Sequence, residues 1–246
     1  MSTDTPEISA GSVAHHFRYT RLLATSLDVY TDSVPAASAL SVRPPLAVDP
    51  VANFSRAVRR AMHERFQHIF LQLTPRMKAK DPQLYTHSQR VLSLTLRLLR
   101  ILDLSQDEIV SIALAAFFHD IGKLYLDDAL LAKTTPLTPD EYGMIQQHSA
   151  FGVDLLAPYL TSQLSTLSFV YHHHERWDGQ GYPCGLEGEA IPLGARIIAV
   201  ADAFDAMTSE RVYQAPRTPY EALLELVRCA GTQFDPRLVR LFLIVR

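Results

Sequence analysis

The chain has few cysteines, no excess of positive charge and no long apolar run, and each absence argues against a class of protein. Only Cys184 and Cys229 occur among its 246 residues, so no disulfide framework is implied and a reducing compartment is expected. The net charge of -3 argues against a dedicated nucleic-acid-binding protein, because neutralising a phosphate backbone requires a basic surface. A local basic pocket for a small phosphorylated ligand remains compatible with this charge.

The sequence also lacks the signals that direct a chain into or across a membrane. No stretch reaches the roughly 18 consecutive apolar residues of a transmembrane helix. The first residues, Met-Ser-Thr-Asp-Thr-Pro-Glu, lack the basic start and apolar run of a signal peptide. Hydrophobic residues make up 48% and charged residues 20%, as in ordinary globular proteins. We therefore expect a cytoplasmic protein with no membrane segment and no nucleic-acid polymer as partner.

Strand patterns are nearly absent, apart from a short hairpin predicted in the glycine-rich loop at 177–188, so the chain is predicted to be all-α. Residues 1–49 are rich in Ser, Thr, Ala and Pro and are interpreted as an N-terminal extension, either partly disordered or docked on the body or a partner. Residues 50–246 are predicted to form one helical domain. Its first helix is expected to run from Asp49-Pro50 to Thr74-Pro75. That helix either packs on the body or pairs with a second copy in a homodimer.

Capping boxes and apolar periodicity predict the remaining helices. They are placed at 87–102, from Ser105 to Asp120, from Thr138 through His148, at 164–171, at 195–207, at 218–228 and at 235–244.

The stretch Ala115–Lys123 carries the first sign of chemistry. Reading backwards from Asp120 in helical steps meets only apolar side chains: Phe117, Ala116, Ala113, Ile112 and Ile109. The Asp120 carboxylate therefore points toward the core, where an unpaired charge costs several kcal/mol. A positive partner is required, and His119 beside it indicates a metal ion.

Other segments supply further candidate ligands on or next to the apolar side of a predicted helix, or at its end. The full set is His87, His119, Asp120, His148, His173, His174 and Asp202. Each histidine alone is more often an ordinary polar residue than a ligand, but helix bundles build metal sites by projecting such groups inward. Imidazole and carboxylate without thiolate suit Fe, Mn, Ni or Zn better than a cysteine-rich structural zinc site.

Seven candidates exceed the needs of one mononuclear catalytic site. Two metals that share a bridging carboxylate are therefore expected, with Asp120 as the bridge. Two metals about 3.5–4 Å apart hold a bridging hydroxide and neutralise a phosphoryl group during attack. Lys123, one turn further on, could hold a phosphate oxygen, although a surface lysine after a helix cap is the alternative. The chemistry favours phosphoester hydrolysis.

Two motifs in this order resemble the HD-GYP group of the HD phosphohydrolase superfamily. The first is His119-Asp120-Ile-Gly-Lys123, and the second is His173-His174-Glu175-Arg-Trp-Asp178-Gly179-Gln-Gly181-Tyr182-Pro183. The similarity continues through residues 192–209 and 231–236 and covers about residues 75–244.

The resemblance implies an HD-type helical domain that hydrolyses the bacterial second messenger cyclic di-GMP to pGpG, GMP or both. By motif, it implies that all seven candidates are metal ligands, and that Asp120 and Lys123 are catalytic. The substrate-binding residues it implies are Lys123, Asp178, Gly181, Tyr182 and Arg211. In some members the loop around Tyr182 contacts GGDEF-domain partners. His172 precedes the motif and is not expected to be a ligand.

Two positions depart from the family pattern. Gln83 stands where members with a third metal often carry a glutamate, so two metals are expected, with Fe or Mn foremost and Ni, Mg or Zn as alternatives. Gln214 stands where many active members have a second cation, whereas Arg211 keeps its phosphate contact. Three functions therefore remain open: a cyclic di-GMP phosphodiesterase, a catalytically weak module that binds cyclic di-GMP or a GGDEF partner, and a phosphohydrolase of another nucleotide.

Overall fold

Several helices begin at the capping side chains that the sequence predicts. Ser105, Thr138 and Thr218 each accept a hydrogen bond from the backbone N–H three residues later, and the side chain of the glutamate there accepts one from the backbone N–H of the capping residue. This reciprocal capping satisfies N–H groups that a helix start otherwise leaves without partners. A computed structural model describes Leu40 and residues 51–210 and 216–245. Within these ranges no β-strand forms, and the predicted all-α fold is confirmed.

The helices are named here in chain order. They are α1 Val51–Lys80, α2 Pro82–Leu99, α3 Gln106–Phe118, α4 Asp128–Leu131, α5 Pro139–Gln146, α6 His148–Leu156, α7 Leu164–His172, α8 Leu193–Thr208, α9 Pro219–Arg228 and α10 Pro236–Val245. Two 3₁₀ helices lie at Ile121–Tyr125 and Gly188–Ala190. None of these described helices is long and apolar enough to cross a membrane.

Helix α3 is the centre of the bundle. Every residue from Ile109 to Phe118 is buried, and α3 packs against α1, α2, α7 and α8. A helix that is apolar on all sides must be surrounded by others. As a result, His119 and Asp120, which follow its last turn, are delivered into the middle of the domain.

Two predicted helix boundaries are wrong. Helix α1 does not end near Thr74-Pro75 but continues through Pro75 to Lys80, with non-helical backbone angles at Phe66. Leu73 and Met77 are fully buried on either side of the proline, so packing outweighs the lost hydrogen bond. The helix predicted from Thr138 through His148 is two helices, α5 and α6, that meet at Gln147.

A close backbone approach brings His148 to the end of α3. A Cβ at Gly122 would lie 1.9 Å from the His148 carbonyl oxygen and 2.5 Å from the Gly152 nitrogen. Only glycine permits this contact between the first 3₁₀ helix and α6. The glycine of the first motif therefore positions a candidate ligand from another segment.

The glycine-rich loop contains less regular structure than predicted. Instead of a hairpin, a single isolated antiparallel bridge joins Asp178 and Glu187. The loop is fixed by side chains: the Glu175 carboxylate accepts the Cys184 N–H at 2.7 Å and the Leu186 N–H at 3.1 Å. The predicted extension at 1–49, except Leu40, and the segment 211–215 lie outside the described residues.

Candidate metal centre

Side chains from five segments converge on the Asp120 carboxylate. Its Oδ2 lies 3.5 Å from His119 Nε2 and 3.6 Å from His87 Nε2. Its Oδ1 lies 3.4 Å from His148 Nε2. Asp202 Oδ1 lies 3.2 Å from His87 Nε2. The structure thus brings residues of α2, α6 and α8 to the turn after α3.

The remaining two candidate ligands complete the cluster from the end of α7. The ring centroids of His173 and His174 lie 5.2 and 4.9 Å from that of His148. Ligand atoms of Asp120, His148, His173 and His174 lie within 4.8 Å of one another, and so do those of His87, His119 and Asp120. Six of the seven candidates therefore form two groups that share Asp120, and Asp202 joins them through its contact with His87.

Hydrogen bonds to the backbone decide which histidine nitrogens face the centre. The Nδ1 atoms of His119, His148 and His173 lie 2.9, 2.6 and 2.6 Å from the carbonyl oxygen three residues earlier in the chain. A carbonyl oxygen only accepts hydrogen bonds, so each Nδ1 carries the proton. Each Nε2 therefore presents a lone pair to the interior, which is the form that binds a metal.

Two pairs of these nitrogens face each other at short range. His148 Nε2 lies 3.2 Å from His173 Nε2, and His87 Nε2 lies 3.2 Å from His119 Nε2. Facing lone pairs repel unless a proton or a metal cation lies between them. In addition, Asp120 Oδ1 is buried and has no hydrogen-bond donor among the described residues. The donor set therefore fits divalent cations on both sides of Asp120.

The protonation states favour a cation at the His148 pair most strongly. Burial lowers the pKa of His148 to about 4 and that of His174 to about 3, and it holds the pKa of His173 well below its usual value. At neutral pH the facing Nε2 atoms of His148 and His173 therefore have no proton between them. Because the imidazoles are already neutral, a metal ion need not displace protons from them.

On the other side of the cluster, the groups next to His87 are carboxylates. Burial alone would lower the pKa of His87, but hydrogen bonds to Asp202 and Asp205 outweigh it and raise the pKa to about 9. Burial opposes ionisation of Asp120 too, yet Lys123 and the surrounding imidazoles keep the pKa of its carboxyl well below the usual range. The carboxylates are thus ionised at neutral pH, as metal ligands must be.

Asp205 and Arg90 support a candidate ligand, and no role was predicted for either of them. Asp205 Oδ2 lies 2.7 Å from His87 Nδ1, and the Arg90 guanidinium donates to both Asp205 oxygens at 2.6 and 3.0 Å. A carboxylate behind a metal-binding histidine fixes its ring and tautomer. The signal was available, because Asp205 follows Asp202, and Arg90 follows His87, by three residues on one helix face.

The predicted substrate-binding residues divide into two groups. Lys123 Nζ donates to Asp120 Oδ2 at 2.5 Å, and the Tyr182 ring stacks on His174 with centroids 4.8 Å apart, so both border the cluster. Asp178 forms a salt bridge with Arg176. The backbone at Gly181 lies in close contact with the backbone nitrogen of Arg176. A substrate role for Asp178 and Gly181 stays a prediction. Arg211 lies outside the described ranges.

A cavity of about 380 Å³ opens on the cluster. His173, His174 and Asp202 form part of its wall, and Arg176, Arg217, Glu175 and Glu225 form another part. Its size is within the range of small-molecule sites.

A family model matches the part of the chain that carries the candidate ligands. The model described as an HD domain matches residues 73–238. The chain belongs to the HD domain family, and curated relatives confirm the resemblance to its HD-GYP group.

One relative is a cyclic di-GMP phosphodiesterase of Thermotoga maritima, 38% identical over 67% of this chain and 45% of its own length. Another is a 3'3'-cGAMP-specific phosphodiesterase 2 of Vibrio cholerae, 33% identical over 74% of this chain and 35% of its own length. The chain therefore spans less than half the length of either relative.

A solved structure supports the fold. A cyclic GMP-AMP specific phosphodiesterase of V. cholerae superposes with a TM-score of 0.55 at 23% identity, over 73% of this chain and 48% of that one. The family match, the helices of this chain and the structural neighbour together establish the all-helical HD fold.

Proposed function

We propose that this chain is a metal-dependent phosphodiesterase that hydrolyses cyclic di-GMP to pGpG, GMP or both. The observation that carries the proposal is the pair of facing imidazole contacts, each 3.2 Å long, on the two sides of Asp120. Similarity to a cyclic di-GMP phosphodiesterase supports the substrate class.

The residues divide naturally between two divalent cations, with Fe or Mn foremost and Ni, Mg or Zn as alternatives. His87, His119 and Asp202 would hold one cation, His148, His173 and His174 the other, and Asp120 both. When bound, two such cations supply Lewis-acid activation of water and neutralisation of phosphoryl charge.

The remaining side chains bind and orient the phosphodiester. Lys123, whose ammonium group lies at the Asp120 carboxylate, is placed to hold a phosphoryl oxygen and to stabilise charge that develops on it. Tyr182, stacked on His174, closes one border of the site and limits the approach of bulk water. Arg211 would contribute a second phosphate contact.

A substrate panel on one metal-loaded preparation tests the proposal. The full chain, loaded anaerobically with Fe or Mn, is incubated with cyclic di-GMP, 3'3'-cGAMP and linear pGpG, and products are separated by chromatography. We expect cyclic di-GMP to be linearised and the Asp120→Asn variant to be inactive. No turnover with either metal, or equal turnover in the variant, would overturn the proposal.

A phosphodiesterase for a mixed cyclic dinucleotide is the second candidate, favoured by the similarity to a 3'3'-cGAMP-specific enzyme. Preferential turnover of 3'3'-cGAMP in the panel would select it. Tight binding of cyclic di-GMP without turnover would instead select a binding module, for which GGDEF-domain proteins are the expected partners. Pairing of α1 in a homodimer is tested separately, by the mass of the chain in solution.

A further inference from the structure

A second group of metal-ligand types lies behind the glycine-rich loop. His172, Glu175 and Cys184 place an imidazole nitrogen, a carboxylate oxygen and a thiol sulfur within 4.8 Å of one another. The side chains of His172 and Glu175 are fully buried, whereas Cys184 is exposed. The group is therefore anchored in the core and open to solvent on the thiol side.

This group is separate from the catalytic cluster. His173 turns its Nε2 toward His148, while the adjacent His172 directs its Nδ1 to Glu175 at 3.4 Å. None of the seven ligands of the catalytic centre is a cysteine, and none belongs to this group.

Hydrogen bonding leaves the His172 imidazole poorly satisfied. Its Nε2 is buried without a partner among the described residues. Its Nδ1 contact of 3.4 Å exceeds the roughly 2.7–3.2 Å of an ordinary N–H···O bond. A buried polar group without a good hydrogen bond destabilises the fold unless another partner satisfies it. The long Nδ1 contact leaves that nitrogen available as a metal ligand on the side of Glu175.

The same separations match a tetrahedral metal site. With metal–nitrogen and metal–oxygen bonds of about 2.0–2.1 Å, two ligands of a tetrahedral zinc ion lie about 3.3 Å apart. The separation between His172 Nδ1 and Glu175 Oε1 is 3.4 Å. A sulfur ligand of the same ion would lie about 3.6 Å from each of the other two ligand atoms. Because the Cys184 sulfur already lies within 4.8 Å of both, it needs to move by only about 1 Å.

The neighbouring groups are compatible with a thiolate ligand. Burial and Glu175 raise the pKa of the Cys184 thiol, whereas the Tyr171 hydroxyl lowers it, and a bound cation would favour the thiolate. Each Glu175 oxygen already accepts one backbone N–H, from Cys184 or Leu186, and each keeps a lone pair for a cation. Metal binding therefore requires no existing loop contact to break.

We propose that His172, Glu175 and Cys184 form a second, structural metal site for a thiophilic divalent cation such as Zn²⁺, with water as the fourth ligand. The cation would tie the end of α7 to the loop residue two positions after Tyr182. It would thus stabilise the loop that borders the catalytic centre, without taking part in the reaction.

Cobalt substitution tests the proposal independently of catalysis. Co²⁺ bound by a thiolate shows a near-ultraviolet sulfur-to-metal charge-transfer band, which His and carboxylate ligands do not produce. The full-length chain is titrated with Co²⁺ and compared with Cys184→Ser, Cys229→Ser and His172→Gln. Circular dichroism confirms that each variant is folded.

We expect the band in the unmodified chain and in Cys229→Ser. Cys184→Ser should lose the band and should bind one Co²⁺ per chain fewer. His172→Gln should weaken Co²⁺ binding at this site at least tenfold. Absence of the band, its persistence in Cys184→Ser, its loss in Cys229→Ser or an unchanged titration of His172→Gln would each overturn the proposal. Because the band reports sulfur ligation alone, this result does not depend on phosphodiesterase activity.

Discussion

Lys123 Nζ lies 2.5 Å from Asp120 Oδ2, while the other carboxylate oxygen, Oδ1, has no hydrogen-bond donor among the described residues. The lysine thus neutralises one half of the proposed bridging carboxylate. This arrangement separates two tasks: Asp120 is expected to hold cations, and Lys123 is expected to act on the substrate.

Replacing Lys123 by methionine should lower kcat by about 10²–10³-fold, the usual effect of removing one charge-stabilising donor. Metal content should not fall, since the lysine competes with a cation for the carboxylate. Elemental analysis and steady-state kinetics measure the two quantities. Lys133→Met, which breaks an ion pair with Glu141, is the matched control and should leave both unchanged. Loss of metal from the Lys123 variant would contradict the separation of roles.

Asp205→Asn should weaken metal binding by about 10–100-fold, because the residue fixes the ring of a ligand and raises its basicity. The expectation rests on the 2.7 Å contact between Asp205 and His87. Competition with a chromophoric chelator gives the affinity. Ser209→Ala removes only a 3.3 Å contact to the same carboxylate and should change the affinity little. Equal effects in the two variants would show that Asp205 has no special function.

Gly122→Ala should destabilise the domain by about 3 kcal/mol or more, at or beyond the upper end for overpacking, because its Cβ would collide with the His148 carbonyl at 1.9 Å. Gly143→Ala is the control, since nothing lies within 4 Å of a Cβ there. In the middle of α5 that change should stabilise by about 0.5–1 kcal/mol. Urea unfolding measures both. A tolerated Gly122→Ala would mean that α6 does not approach this closely.

Asp235→Asn should cost about 3 kcal/mol at neutral pH, because it leaves the buried Arg196 without its charged partner. Burial raises the pKa of Asp235, but bonds from Arg237 and Arg196 outweigh it and lower the pKa. A carboxyl with a depressed folded-state pKa stabilises above its unfolded pKa of about 3.9, and this contribution is lost as the pH falls through the folded value.

The cost of Asp235→Asn should therefore shrink below about pH 4. Trp177, the one tryptophan of the chain, lies under the Arg196 and Arg237 guanidinium groups and reports unfolding by fluorescence. Glu64→Gln, at an exposed pair with Arg60, is the control and should change the stability little at any pH. A cost that is independent of pH would contradict the ion-pair account.

Local patterns predicted most of the fold because its helix starts are encoded within a few residues. Ser105, Thr138 and Thr218 cap helices where expected, and the apolar run before His119 is the buried central helix. The end of α1 was missed because burial of Leu73 and Met77, which involves distant partners, outweighs the local effect of Pro75.

The candidate site was predictable as a set of residue types but not as an arrangement. Clustering of His and Asp on apolar helix sides indicated the candidate ligands, and the structure brings these side chains together. The pairing of nitrogens, the support from Asp205 and the approach of Gly122 to His148 depend on contacts between segments far apart in the chain. Periodicity carries no information about such contacts.

The central claim is that two cations share Asp120. Electron paramagnetic resonance of the Mn²⁺-loaded chain tests it most directly, because neighbouring Mn²⁺ ions joined by a bridge are exchange-coupled and isolated ions are not. We predict a coupled spectrum with two Mn²⁺ per chain in the active protein, and isolated ions without hydrolysis in Asp120→Asn. A spectrum of isolated Mn²⁺ in a fully active chain would contradict the account.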